Sequence, residues 1–142
     1  MILPDVNLLV YAYNAAAPRH ARSKEWWEAC LTGPDSVGLS WLVILGYVRI
    51  VTSRRALAAP MPPPTALSHV RAWLDRPQVA IITPGMRHLD LFENLIQATG
   101  AGGAMTTDVH LAALAIEHHA ELHSNDTDFA RFPGLRWRNP IS

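Results

Sequence analysis

Cysteine and lysine are almost absent from this chain of 142 residues. Its one cysteine, Cys30, cannot form an internal disulfide, which favours a reducing compartment, and no Cys-x-x-Cys pair is present to bind zinc. Its one lysine, Lys24, lies early in the sequence. Phosphoaspartate receivers use a lysine late in the chain, so the position of Lys24 argues against that class.

Long apolar runs are also missing, and none approaches the length of a membrane-spanning helix. The first residues lack the basic start of a secretory signal, so we expect a cytoplasmic protein without a membrane partner. The net charge is zero, with 12 basic and 12 acidic residues. A nucleic-acid partner would therefore have to be held by local basic patches. The length and the 49% hydrophobic content predict one globular domain, residues 1–142.

Short apolar runs alternate with segments of helical periodicity along the whole chain. The predicted strands cover 2–5, 37–39, 79–83, 121–124 and 135–138, and the predicted helices cover 6–16, 21–31, 41–52, 65–76, 86–99 and 106–119. This alternation predicts an α/β fold, with helices on both faces of a central, mostly parallel sheet. We expect the apolar strand at 79–83 to be buried on both faces. We also expect Thr65 to cap the fourth helix, and Thr106 or Thr107 to cap the sixth.

Aspartates stand at three places where a predicted strand ends or a helix begins. Asp5 follows the first strand, Asp108 lies in the first turn of the sixth helix, and Asp126 and Asp128 follow the fourth strand. Each alone can be explained as a helix cap or a polar turn. Together they indicate a shared site, because the carboxyl ends of parallel strands converge on one edge of a sheet.

Carboxylates gathered at one edge repel one another, so they need a cation. Hard oxygen ligands of this kind favour Mg²⁺ or Mn²⁺. The pattern therefore indicates a metal-dependent enzyme that cleaves phosphodiester bonds, in which Asn7 could orient Asp5 or a water molecule on the metal.

The sequence resembles the PIN-domain ribonucleases, and within them the VapC-type toxins of bacterial toxin–antitoxin pairs. The segments that carry the likeness are 3–9, 107–115, 124–129 and 132–137, in this order along the whole chain. The resemblance implies a three-layer α/β/α sandwich. It also implies an Mg²⁺- or Mn²⁺-dependent endoribonuclease that cuts structured RNA and is neutralised by a cognate antitoxin protein.

Carried over position by position, the resemblance assigns roles to six residues. It implies that Asp5, Asp108 and Asp126 are the catalytic, metal-binding acids and that Asp128 is a further acid of the metal site. It also implies that Asn7 and Thr107 are polar residues next to the metal ligands.

One position departs from the family pattern. Gly46 stands where the family has a glutamate in the third helix, and losing this carboxylate should weaken metal binding or move a role to Asp128. One alternative is therefore a catalytically impaired PIN domain that binds RNA or a protein partner. A second is an aspartate-based phosphatase, which is disfavoured because Asn7 stands where that class has a second aspartate.

Two groups of arginines are candidates for contacting RNA phosphates. They are Arg49, Arg54 and Arg55 around the end of the third helix, and Arg131, Arg136 and Arg138 near the C-terminus. The adjacent Trp26 and Trp27 cannot both face the interior from one helix, so one of them is expected on a partner surface. We expect the protein to form a homodimer through helices of its N-terminal half.

Overall fold

The computed structural model describes all 142 residues, which form five strands and six α-helices. The strands are β1 (Ile2–Pro4), β2 (Val37–Leu39), β3 (Val79–Ile81), β4 (Glu121–His123) and β5 (Arg136–Arg138). The helices are α1 (Val6–Tyr13), α2 (His20–Thr32), α3 (Trp41–Val51), α4 (Pro63–Leu74), α5 (His88–Thr99) and α6 (Thr106–Glu117). Two short 3₁₀ turns, Gly103–Met105 and Thr127–Arg131, precede α6 and follow β4. The predicted alternation of strands and helices is confirmed.

The five strands form one sheet in the order β3-β2-β1-β4-β5, and every neighbouring pair is parallel. Parallel connections are right-handed, so α1 to α4, which lead stepwise from β1 to β3, cover one face. The return to β4 through α5 and α6 places these two helices on the other face. Helix contacts agree, since α1 packs on α2 and α3, α3 packs on α4, and α5 packs on α6.

The strand order creates a switch point between β1 and β4. These strands are neighbours, but the chain leaves β1 towards β2 and leaves β4 towards β5. In open parallel sheets, such a point opens a crevice beyond the carboxyl ends of the two strands, where ligands usually bind. Asp5 follows β1 and Asp126 follows β4, so the fold delivers both aspartates to this crevice.

The core lies along the three central strands. Leu3 in β1, Leu39 in β2 and Leu122 in β4 are fully buried, and each burial contributes roughly 1.5–3 kcal/mol to stability. Half of the residues of helix α6 are buried, namely Val109, Leu111, Ala112, Ala113, Leu114 and Ala115. The helix is therefore anchored in the core from the residue that follows Asp108.

Three predictions about individual elements are wrong. Strand β3 is an edge strand with Ala80 exposed, so the run is not buried on both faces. Helix α4 begins at Pro63 rather than after a Thr65 cap, because proline lacks the N–H that a first helical residue leaves unpaired and its φ already suits a helix. Helix α6 begins at Thr106 with Met105 at its cap position, and no side chain caps it.

None of the helices has the length and apolarity that crossing a membrane requires.

Candidate active site

Asp5 lies at the junction of β1 and α1. Its backbone N–H donates to the carbonyl of His123 at 2.8 Å, which ties the end of β1 to the end of β4. Its Oδ1 accepts a hydrogen bond from the N–H of Val6 at 2.7 Å. Burial raises the pKa of the Asp5 carboxyl, hydrogen bonds from Ser124 and Val6 lower it, and the charge of Asp126 raises it again. A half-buried carboxylate beside a second carboxylate is more than a helix cap requires, which favours a functional role.

Ser124 connects Asp5 to the rest of the site. This serine is fully buried directly after β4. Its hydroxyl donates to Asp5 Oδ2 at 2.7 Å, and it accepts from Asn7 Nδ2 at 3.2 Å and from the N–H of Asp126 at 3.0 Å. One donated and two accepted bonds are the full capacity of a hydroxyl group. Ser124 therefore fixes both aspartates relative to each other.

Asn7 holds the loop that follows β4 against α1. Besides its bond to Ser124, its Oδ1 accepts from the N–H of Asn125 at 3.4 Å. Both ends of the amide are thus engaged with this loop. Asn7 orients Asp5 only indirectly, through the hydroxyl of Ser124.

Asp126 and Asp128 lie on the 3₁₀ turn that follows β4. Oδ1 of Asp126 accepts from the N–H of Asp128 at 2.9 Å and so caps the turn. Phe129, which is 1% exposed, anchors the turn in the core. Asp128 is exposed at its outer surface. Thr107 is also exposed, one residue before Asp108.

The pKa of Asp108 indicates that the four carboxylates lie close together. Burial, together with the charges of Asp5, Asp126 and Asp128, raises the pKa of Asp108 to about 6. No hydrogen bond and no arginine or lysine offsets these effects. The structure therefore brings together all four aspartates, which are up to 123 residues apart in sequence, around a region of uncompensated negative charge.

The donor set fits a divalent cation by its chemistry. As they stand, no three Asp, Glu, His or Cys side chains are arranged to hold one ion. Mg²⁺ needs only one or two protein carboxylates, because it keeps several of its waters. Asp5, Asp108, Asp126 and Asp128 are the residues that could hold it. Their role as ligands stays a prediction.

The arginines predicted to contact RNA lie at different distances from these acids. Arg49 is in the last turn of α3, about 12 Å along the helix axis from its start beside the carboxyl edge. Arg54 and Arg55 are exposed just beyond that helix. No arginine forms a salt bridge anywhere in the structure.

Comparison with known proteins identifies the family. The family model for the PIN domain matches residues 2–135. This chain belongs to the PIN-domain family. Ribonuclease VapC33 of Mycobacterium tuberculosis is 47% identical to it over 99% of both chains. Ribonuclease VapC37 of the same organism is 38% identical over 99% of this chain and 97% of that protein.

Solved structures share the fold of this PIN domain. VapBC2 from Rickettsia felis, bound to a DNA fragment from its promoter, matches with a TM-score of 0.70 at 21% identity over 98% of each chain. VapC20 of M. tuberculosis, a toxin that cleaves the sarcin–ricin loop, matches with a TM-score of 0.68 at 19% identity, over 96% of this chain and 99% of that one. The predicted resemblance to VapC-type PIN domains and the predicted α/β/α sandwich are confirmed.

Gly46 lies beside the acidic site of this PIN domain. A Cβ atom at Gly46 would stand 3.2 Å from Cγ2 of Val6, the residue after Asp5. A side chain at position 46 would therefore point towards the start of α1. The resemblance places a glutamate at this position, where the present chain carries no carboxylate, and that match stays a prediction.

Ser124 is the functional residue that sequence reasoning missed. The sequence offered one signal, a small polar residue placed between an apolar strand and an acidic turn. That signal does not reveal which groups the hydroxyl meets, because Asn7 and Asp5 lie at separations of 117 and 119 residues.

Proposed function

We propose that this protein is an endoribonuclease and the toxin of a VapBC-type toxin–antitoxin pair. It hydrolyses phosphodiester bonds in structured RNA with Mg²⁺ or Mn²⁺ bound by Asp5, Asp108 and Asp126, assisted by Asp128. The observation that carries this proposal is the gathering of four carboxylates at the switch point, where their repulsion helps raise the pKa of Asp108 to about 6. The names of the ribonuclease relatives support it.

A bound divalent ion supplies electrostatic stabilisation of the phosphate charge and activates water for attack on phosphorus. The protein contributes orientation. Asp5 is held through both carboxylate oxygens by Val6 and Ser124, and Asp126 is held through its backbone and through Oδ1. Asp108 accepts no hydrogen bond, and its pKa lies near neutrality. Because no protein group donates to it, the Asp108 carboxylate would be free to hold a divalent ion or to accept a proton from water.

The partners follow from the same assignment. Arg49, Arg54 and Arg55 are solvent-exposed and free of salt bridges, so they can contact RNA phosphates. An antitoxin protein is supported by the VapBC complexes among the structures that share this fold.

A homodimer and a cytoplasmic location complete the proposal. Helix α3 exposes Trp41, Leu42 and Leu45 at 52%, 37% and 64% of their surface. This apolar face supports self-association through the N-terminal half.

The alternative of an impaired enzyme is favoured by one observation. Gly46 leaves the site without the carboxylate of the family pattern. Such a protein would bind RNA or its partner without cutting.

Metal-dependent cleavage of total RNA tests the proposal. Wild-type protein should cut RNA with Mg²⁺ or Mn²⁺ but not with EDTA. Asp5→Asn and Asp108→Asn should each slow cleavage by about 100-fold or more, because each removes a metal-site carboxylate. Asp75→Asn is the matched control, since Asp75 is exposed at the end of α4.

Two results would contradict the proposal. Equal cleavage by all four proteins would remove the metal-site assignment. RNA binding by wild type without cleavage at any metal concentration would favour the impaired PIN domain.

A further inference from the structure

Arg131 occupies a fixed position at the edge of the acidic site. It ends the 3₁₀ turn Thr127–Arg131, which Asp126 caps at its start. Phe129 and Phe132, 1% and 3% exposed, hold this turn to the core on either side of Arg131. The backbone of Arg131 is thereby anchored while its side chain is exposed.

The guanidinium of Arg131 contacts the segment that leads into α6, the helix that carries Asp108. Its Nη1 lies 3.0 Å from Sδ of Met105, and Met105 is three residues before Asp108 at the start of α6. Asp128 is three residues before Arg131, and side chains at this spacing lie on the same side of a 3₁₀ turn. The guanidinium therefore lies between the two segments that carry Asp108 and Asp128.

Arg131 does not neutralise these acids. It forms no salt bridge with any carboxylate, and it is not among the groups that shift the pKa of Asp108. Its one hydrogen bond is to a sulfur atom, which is a weak acceptor. Most of the five N–H donors of this guanidinium are therefore free to bind an anion that approaches from solvent.

We propose that Arg131 binds a phosphate of the RNA next to the one that is cut. This inference rests on the proposed function and specifies how the substrate is positioned. A planar guanidinium matches the geometry of a phosphate. Because Arg131 stands outside the acidic cluster, it contacts a flanking phosphate and acts as a positioning residue.

Arg131 differs from Arg49 in being on the same short turn as one of the acids. Arg49 lies about two helical turns, roughly 12 Å, from the start of α3. Arg131, by contrast, follows Asp128 directly on one short turn. Of these two residues, Arg131 is therefore the one that sets which phosphate enters the site.

RNA binding without cleavage tests this role. We would measure the dissociation constant of a fluorescein-labelled RNA hairpin in EDTA, across a range of salt concentrations, for wild type, Arg131→Ala, Arg131→Gln and Arg131→Lys. Arg131→Ala and Arg131→Gln should bind about three- to tenfold more weakly, and the slope of log K against log salt should fall by about 0.7–0.9, as expected for one lost phosphate contact. Arg131→Lys retains the charge and should preserve the slope.

Arg76→Ala is the matched control. Arg76 is also exposed, but it precedes β3 at the amino end of the sheet, opposite the acidic site. Its loss should leave the affinity and the salt slope unchanged. Because Arg131→Gln keeps a long polar side chain, it reports the loss of charge even where Arg131→Ala disturbs the turn.

Three results would overturn the proposal. If Arg131→Gln retains the wild-type affinity and slope, Arg131 contacts no phosphate while the proposed function stands. Equal losses in Arg76→Ala and Arg131→Ala would show a general charge effect. If wild-type protein fails to bind the hairpin at low salt, the proposed function fails together with this inference.

Discussion

Ser124 uses the whole hydrogen-bonding capacity of its hydroxyl within the acidic site. Replacing it with alanine removes the donor to Asp5 and leaves the N–H of Asp126 and the amide of Asn7 without their acceptor. Ser124→Ala should destabilise the protein by about 1–3 kcal/mol, because these half-buried groups lose their partner. Activity should fall by roughly 10- to 100-fold, since the metal ligands lose their orientation.

Urea denaturation in EDTA and RNA cleavage with Mg²⁺ measure these two effects. Ser68→Ala, at an exposed position on α4, serves as the control and should change neither. A Ser124→Ala protein with wild-type stability and activity would show that the hydrogen bonds to this hydroxyl are dispensable.

Asp108 makes the metal-free protein less stable as the pH rises. Its pKa in the folded protein is about 6 against an ordinary value of 3.8, so the folded state holds the proton more tightly than the unfolded state. The stability that this proton provides is fully present below about pH 4 and is lost as the pH rises through 6. The Asp108→Asn variant has no carboxyl proton at this position, so its stability does not change in this way as the pH rises.

Thermal unfolding in EDTA from pH 4 to pH 8 tests whether stability falls as the pH rises. Asp108→Asn should melt roughly 1–3 °C above wild type at pH 8, a small gain because the carboxylate is partly exposed and screened. The difference should shrink towards pH 4. A difference that grows as the pH falls would contradict the assigned repulsion.

Helix α3 faces the start of α1 at Gly46. A Cβ there would meet Cγ2 of Val6 at 3.2 Å, so Gly46→Glu requires Val6 to move by a few tenths of an ångström. Replacing glycine within a helix also favours the helix by up to about 1 kcal/mol. Gly46→Glu should therefore fold and should bind Mg²⁺ about tenfold more tightly, since it adds a carboxylate beside Asp5.

Isothermal titration with Mg²⁺ compares Gly46→Glu with Gly46→Gln, which has the same shape without the charge. Higher affinity in the glutamate variant alone supports placing position 46 at the metal site. Equal affinities in the two variants would place position 46 outside it.

The elements show what local sequence patterns can and cannot predict. Periodicity located every strand and helix, because it reports which face of a segment is apolar. The exposure of Ala80 was not predictable in this way, since it follows from the edge position of β3, which the strand order decides. Asp5 and Asp126 could be placed by topology, whereas the role of Ser124 depends on contacts more than 100 residues away in sequence.

In the whole molecule, the helical layers cover the sheet and leave an apolar face of α3 exposed to solvent. Leu45, on α3, is 64% exposed beside Trp41 and Leu42. Leu45→Asp should convert the proposed dimer to a monomer without altering the circular dichroism spectrum, because a charge at an apolar contact is costly to bury. Light scattering coupled to size-exclusion chromatography measures the mass.

Leu67→Asp is the control, since Leu67 is 52% exposed on α4. It should leave the mass of the dimer unchanged. A wild-type protein that is monomeric at every concentration would contradict the proposed dimer, and a Leu45→Asp protein that stays dimeric would exclude the α3 face as the contact.

The central claim is that four aspartates, brought together by the strand order, hold one divalent cation. Anomalous diffraction from crystals grown with Mn²⁺ tests it most directly. We expect a peak at the switch point between β1 and β4, about 2.1 Å from carboxylate oxygens that include those of Asp5, Asp108 or Asp126. A peak only elsewhere, or none at millimolar Mn²⁺, would contradict it.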